Sequence, residues 1–177
     1  MTLRPDGDGA KANPRRKPDE TQLGCVGPCF CIAMSGTLWA QDNPFAGTWK
    51  LNTAKSKFVP GPGPKSMTRT IASQGAGASY SFEAVGASGA SSSYSFSTNY
   101  DGKDSAITGT GAPGGADTIA LKRASPRKVE GTLKKGGKEI GKVTAEVSSD
   151  GKVSTVRSKG KTADGKEFST DTVYDKQ

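Results

Sequence analysis

The 177 residues include no histidine, so the commonest general base and the commonest metal ligand are both missing. The three cysteines, Cys25, Cys29 and Cys31, lie within one apolar run near the N-terminus. Their loose CxxxCxC spacing has no second ligand cluster after it, and they read as small apolar residues rather than as a zinc site. Among the carboxylates, Asp101 and Asp104 are close in sequence, and Glu139 and Glu146 share one candidate strand. No motif fixes either pair as an acid and a base. Gly-x-Ser-x-Gly is absent, and Gly109-Thr110-Gly111 lacks the strand-to-helix context of a phosphate loop. No catalytic residue, metal ligand or cofactor is expected, and the side chains that remain are suited to binding rather than reaction.

The binding candidates are aromatic. Ser79-Tyr80-Ser81-Phe82 recurs fourteen residues later as Ser93-Tyr94-Ser95-Phe96. In an extended chain Tyr and Phe of each copy share a face, so pairing of the two strands would gather Tyr80, Phe82, Tyr94 and Phe96 into one patch. Tyr174 lies on the same face as Phe168, Thr170 and Thr172 near the C-terminus. These five aromatics serve either as cross-strand packing or as the lining of a ligand site. Phe45 and Trp49 in Asn43-Pro44-Phe45-Ala46-Gly47-Thr48-Trp49-Lys50-Leu51 are the anchors of the core, since a tryptophan buries about 150–250 Å² and large apolar groups are scarce here. The formal charge is +8, and Lys122–Lys161 holds twelve Lys/Arg against Glu130, Glu139, Glu146 and Asp150. That excess reads as a solvated face or as a surface for anionic lipid headgroups or polysaccharide.

The elements that must position these residues are strands. Low apolar content (32%) and 24 glycines leave regular alternation as the case for folding. Val129, Gly131 and Leu133 oppose Lys128, Glu130, Thr132 and Lys134, and Ile119 and Leu121 oppose Thr118, Ala120 and Lys122. Asp101-Gly102, Gly136-Gly137, Asp150-Gly151 and Asp164-Gly165 are hairpin dipeptides in which glycine supplies positive φ. They divide the body into ten candidate strands, near 47–51, 67–73, 78–85, 92–100, 104–109, 117–123, 127–134, 138–147, 152–160 and 166–174. Pro60, Pro62 and Pro64 make 52–65 an extended loop. The fold class is all-β, an antiparallel up-and-down barrel of about ten strands over 41–177, closed so that no edge stays exposed.

Residues 1–22 are polar, with three prolines and the cluster Arg15-Arg16-Lys17, and read as a disordered extension. Residues 23–40 are mostly apolar and end in Ala40, the layout of a secretory signal cut before Gln41. Export to the periplasm or beyond is the expected localisation, and nucleic acid is not an expected partner.

With these elements in place, Phe45 to Leu51 resembles the opening strand of intracellular fatty-acid-binding proteins and, more loosely, of lipocalins, both of which begin with a Gly-x-Trp element. Thr172-Val173-Tyr174-Asp175-Lys176 resembles the closing strand of the fatty-acid-binding proteins. Lys138-Glu139 after Gly136-Gly137, and then Asp150-Gly151-Lys152, follow that family's late hairpins in order and spacing. The body is also similar to small exported bacterial proteins described as lipocalin-like. The resemblance implies a barrel that takes a lipophilic molecule in its interior, without catalysis. Two departures stand out. Lys55 to Lys65 replaces the family's helical lid with a Pro/Gly loop, and Thr172 stands where the family has the arginine that holds a fatty-acid carboxylate. A carboxylate would then look to Lys142 or Arg157.

Overall fold

The computed structural model describes residues 43–177. The expectations for the first forty residues, from the polar extension to the cut after Ala40, lie outside the described residues. Twelve strands form one antiparallel sheet, and no α-helix occurs among the described residues. They are β1 (Gly47–Leu51), β2 (Lys57–Val59), β3 (Ser66–Gln74), β4 (Gly77–Val85), β5 (Ser91–Thr98), β6 (Asp101–Ala106), β7 (Thr108–Gly109), β8 (Thr118–Ser125), β9 (Lys128–Lys135), β10 (Lys138–Val147), β11 (Val153–Lys161) and β12 (Glu167–Lys176).

The sheet is an up-and-down meander that curls into a nearly closed barrel. Its first and last strands meet: Trp49 pairs with Lys176 and Leu51 with Tyr174, while the other side of β1 pairs with β3. The second seam is made by 101–109. Its first part, β6, pairs with β8 through Asp104–Ala120 and Ser105–Ile119. Its end, β7, pairs with β5 through Tyr94–Gly109 and Ser95–Thr108. One broken strand therefore bridges two edges that do not pair directly. Gly109 makes the bridge possible: φ is +97°, and a Cβ there would overlap the Ser93 carbonyl.

Alternation decides what faces inward. Val129 and Leu133 of β9, Ile119 and Leu121 of β8, and Phe168, Thr172 and Tyr174 of β12 are buried. Phe45 and Trp49 are fully buried, and the Trp49 indole N–H donates to the Phe45 carbonyl at 2.8 Å. That bond satisfies the one polar atom of the ring and ties the incoming chain to the first strand.

Three expectations need correction. The ten strands become twelve because Ile107 interrupts 101–109 and because the 52–65 segment is more ordered than a loop. Asn52 caps a short 3-10 turn, Thr53–Lys55, through its side chain, and β2 then pairs with β12, Phe58 opposite Thr170. The Asp101-Gly102 dipeptide is not the hairpin turn. The reversal falls one step earlier, at Asn99-Tyr100, where Tyr100 itself takes φ +55°, and Gly102 lies inside β6 beside a register shift. Tyr100 can hold this conformation because its ring is anchored: its hydroxyl meets that of Tyr80 at 2.7 Å and the Arg123 guanidinium covers its face at 4.2 Å.

Candidate functional site: an apolar cavity with a buried arginine

The near-repeat folds as an aromatic ladder. Strands β4 and β5 pair in a register that sets Tyr80 opposite Phe96 and Phe82 opposite Tyr94. The Tyr80 and Phe96 rings stack at 4.7 Å and those of Phe82 and Tyr94 at 4.3 Å. Such pairs are worth about 0.5–1.5 kcal/mol each beyond area burial. The same four rings, with Tyr174 from across the barrel, line an interior cavity of about 330 Å³. All five predicted binding residues are thus brought to one space, at the lower end of the roughly 300–1,000 Å³ that small-ligand pockets occupy. Phe45 and Trp49 do not line it; they pack beneath it as anchors.

The cavity has an opening and a buried cation in its wall. At one end it reaches the surface among three loops, through Phe58 and Pro62–Pro64, Gly86 and Ala87, and Gly111 and Pro113. Phe58 lies across the loop so closely that a Cβ on Gly63 would overlap its ring, and a side chain there would push Phe58 into the opening. In its wall lies Arg69 of β3, in the same cross-strand row as Phe82 and Tyr94 and four residues beyond Lys65, or about 13 Å along an extended chain.

Arg69 is the one charged side chain buried among the described residues, at 2% exposure. Among the described residues its Nε and Nη2 have no hydrogen-bond partner, and no carboxylate lies within ion-pair distance. Its guanidinium instead lies 4.5 Å from the Tyr174 ring centroid and 5.4 Å from that of Trp49. Contacts of this kind are worth about 2 kcal/mol when desolvated, whereas a buried uncompensated charge costs several kcal/mol. Desolvation accordingly lowers the Arg69 pKa from its ordinary value, and it raises those of Tyr80, Tyr94 and Tyr174. The phenols stay neutral at physiological pH, so the cavity holds a single cation among neutral, mostly apolar walls.

Sequence reasoning passed over Arg69 and looked for a cation at Lys142 and Arg157. Both face outward. Lys142 pairs with Glu139 at 2.8 Å, and Arg157 lies 3.5 Å from Asp171 and 4.0 Å from Glu146. The Thr172 hydroxyl donates to the Val156 carbonyl at 3.0 Å. A signal for Arg69 existed nonetheless: Met67, Arg69 and Ile71 share one face of a strand by period two, which sets an arginine in an apolar row.

The carboxylates weighed for catalysis are not brought together. Asp104 is held by Lys134 at 2.7 Å, Glu139 by Lys142, and Glu146 lies 3.7 Å from Lys128. No cluster of three or more metal-ligating side chains occurs among the described residues. Of the twelve Lys/Arg in Lys122–Lys161, six are ion-paired among the described residues. Lys128, Lys134, Lys135, Lys142, Arg157 and Lys161 each lie within 4.0 Å of a carboxylate. Compared with known proteins, the chain matches no family model and no curated protein sequence.

Proposed function

We propose that this protein binds a lipophilic small molecule carrying one acidic group, held inside the barrel and not chemically altered. The observation that carries the reading is Arg69, a buried guanidinium in the wall of an apolar cavity, two of whose nitrogens have no partner among the described residues. A carboxylate or similar anion there would accept from Nε and Nη2 in the forked geometry that arginine presents. It would also offset the desolvation of the buried guanidinium. The hydrocarbon part would lie along the stacked faces of Tyr80, Phe82, Tyr94 and Phe96 and reach toward the loops around Phe58. The likeness of the domain's two ends to fatty-acid-binding and lipocalin-like proteins supports the same reading, with the arginine moved from the closing strand to β3. The apolar segment 23–40 supports export, and the protein would then act in the periplasm or outside the cell.

The test is a titration with a fluorescent long-chain carboxylic acid, monitored by probe emission and by energy transfer from tryptophan. Saturable binding at one site, competed by unlabelled acid, is expected. Failure of every acid-bearing lipophile to bind would overturn the proposal.

A further inference from the structure

The mouth of the cavity has a chemistry of its own. Residues 51–82 contain no Asp or Glu, yet Lys55, Lys57 and Lys65 fall within them. All three are exposed, and none is ion-paired among the described residues. Lys57 stands opposite Asp171 in the β2–β12 register, but that carboxylate is engaged by Arg157 at 3.5 Å. Phe58 points into the cavity, so its neighbours Lys57 and Val59 share the outer side of β2. Val59, 60% exposed, is the one exposed large hydrophobic side chain among the described residues. The Pro60–Pro64 loop continues from it along the opening. The other two loops at the mouth, 86–90 and 110–115, carry no charged residue. Around the rest of this end Asp117, Asp164 and Glu167 lie beside Lys135, Lys166 and Lys161, and Glu83 near the end of β4 is the one carboxylate there without an ion pair among the described residues, against the three lysines Lys55, Lys57 and Lys65. The surplus charge at the opening is therefore positive, and an apolar tip stands within it.

We infer that the mouth docks on an anionic lipid bilayer. Val59 and the Pro/Gly loop enter the headgroup layer, while Lys57 and Lys65 lie against lipid phosphates. Lipid is favoured over a soluble polyanion because Val59 gains nothing from leaving water against a sugar chain, whereas the headgroup boundary receives an apolar tip flanked by lysines. Docking turns the cavity's opening toward the phase in which a lipophilic acid is dissolved. It rests on the interior-binding reading for its purpose, but it is measured separately.

The experiment is co-sedimentation of the full chain with vesicles of phosphatidylcholine containing phosphatidylglycerol, and with phosphatidylcholine alone. A lysine near an anionic surface contributes roughly fivefold in partitioning, so the pair Lys57→Gln and Lys65→Gln should lower binding to the anionic vesicles roughly 25-fold. The pair Lys122→Gln and Lys152→Gln, of the same charge change, should alter it less than about twofold. Every variant retains residues 1–42, so any vesicle binding by that part is common to all. Val59→Ser should lower binding further, and added salt should weaken the wild type. An unchanged partition in the Lys57/Lys65 variant, or an equal fall in the control pair, overturns the inference. Indifference to Val59→Ser also overturns it, and would point to a soluble polyanion instead. Titration with the fluorescent acid in the absence of vesicles keeps the two proposals apart. Intact acid binding with no docking rejects docking alone, and docking as expected with no acid binding rejects the interior ligand alone.

Discussion

Replacing Arg69 with methionine separates binding from folding. Methionine is unbranched and apolar and adapts to an irregular space, so the side chain's reach is kept while its charge and donors are removed. In the ligand-free protein two effects oppose each other. The contacts with the Trp49 and Tyr174 rings at 5.4 and 4.5 Å are lost, at a cost of about 2 kcal/mol. The uncompensated burial of a cation is relieved, a gain of several kcal/mol. The thermal midpoint should therefore stay level or rise. In the complex, by contrast, charge-assisted hydrogen bonds worth about 1.5–3 kcal/mol disappear, which weakens a carboxylic acid roughly ten- to a hundredfold. The matching long-chain alcohol, which has no charge to lose, should bind the variant as well as the wild type or better. Arg69→Lys keeps the charge and loses the planar fork, and should fall between the two. The assay is parallel titration of acid and alcohol with a melting curve for each variant. Equal weakening of acid and alcohol, or a fall in midpoint comparable to a core truncation, would show that Arg69 does not hold the acid.

Other outcomes follow from the same geometry. Phe82→Ala removes one ring of the 4.3 Å stack with Tyr94; it should cost about 3 kcal/mol in chemical denaturation and loosen acid and alcohol alike. Gly109→Ala forces a side chain into φ +97° and onto the Ser93 carbonyl. It should cost at least about 1–2 kcal/mol and speed amide exchange in β5 and β7 before the rest of the sheet. Stability should also fall in acid. Asp101 is held below its usual range first by the Lys103 amide, Asp117 by the Gly136 amide and Asp150 by the Ser148 hydroxyl, while Asp164 is lowered to about 2 by the Thr162 hydroxyl and then Lys166. A depressed carboxylate contributes stability above its unfolded value, about 3.9, and loses it as pH drops toward the folded value. The thermal midpoint should decline from about pH 4 downward, and Asp164→Asn should flatten the lower part of that decline; a level midpoint across this range would contradict the assignment.

Much of the molecule was legible in the residues alone because period-two alternation reports directly on which side of a sheet is buried. Val129 and Leu133, Ile119 and Leu121, and Phe168, Thr172 and Tyr174 all face inward as the alternation requires. The fourteen-residue repeat implied that Tyr80, Phe82, Tyr94 and Phe96 would meet if their strands paired, and the register joins them. What stayed hidden depends on tertiary context. Arg69 looks like any surface charge until the face it shares with Met67 and Ile71 is known to be the inner one. Asp101-Gly102 carries a hairpin signature, but Tyr100, supported by Tyr80 and Arg123, takes the turn instead. Strand β2 follows no pattern of its own; it exists because Phe58 has a cavity to face and β12 has hydrogen-bonding groups to offer Lys57–Val59.

An acidic head on Arg69 is best read out by carbon-13 NMR of a carboxyl-labelled long-chain acid bound to the protein. A carboxylate paired with a buried guanidinium stays ionised well below the pH at which it would protonate in water. The bound resonance should keep a level shift through the range in which the free acid titrates, and in Arg69→Met it should titrate or be lost. A bound carboxyl that titrates in the wild type as it does in water, or is unaffected by the substitution, would contradict it.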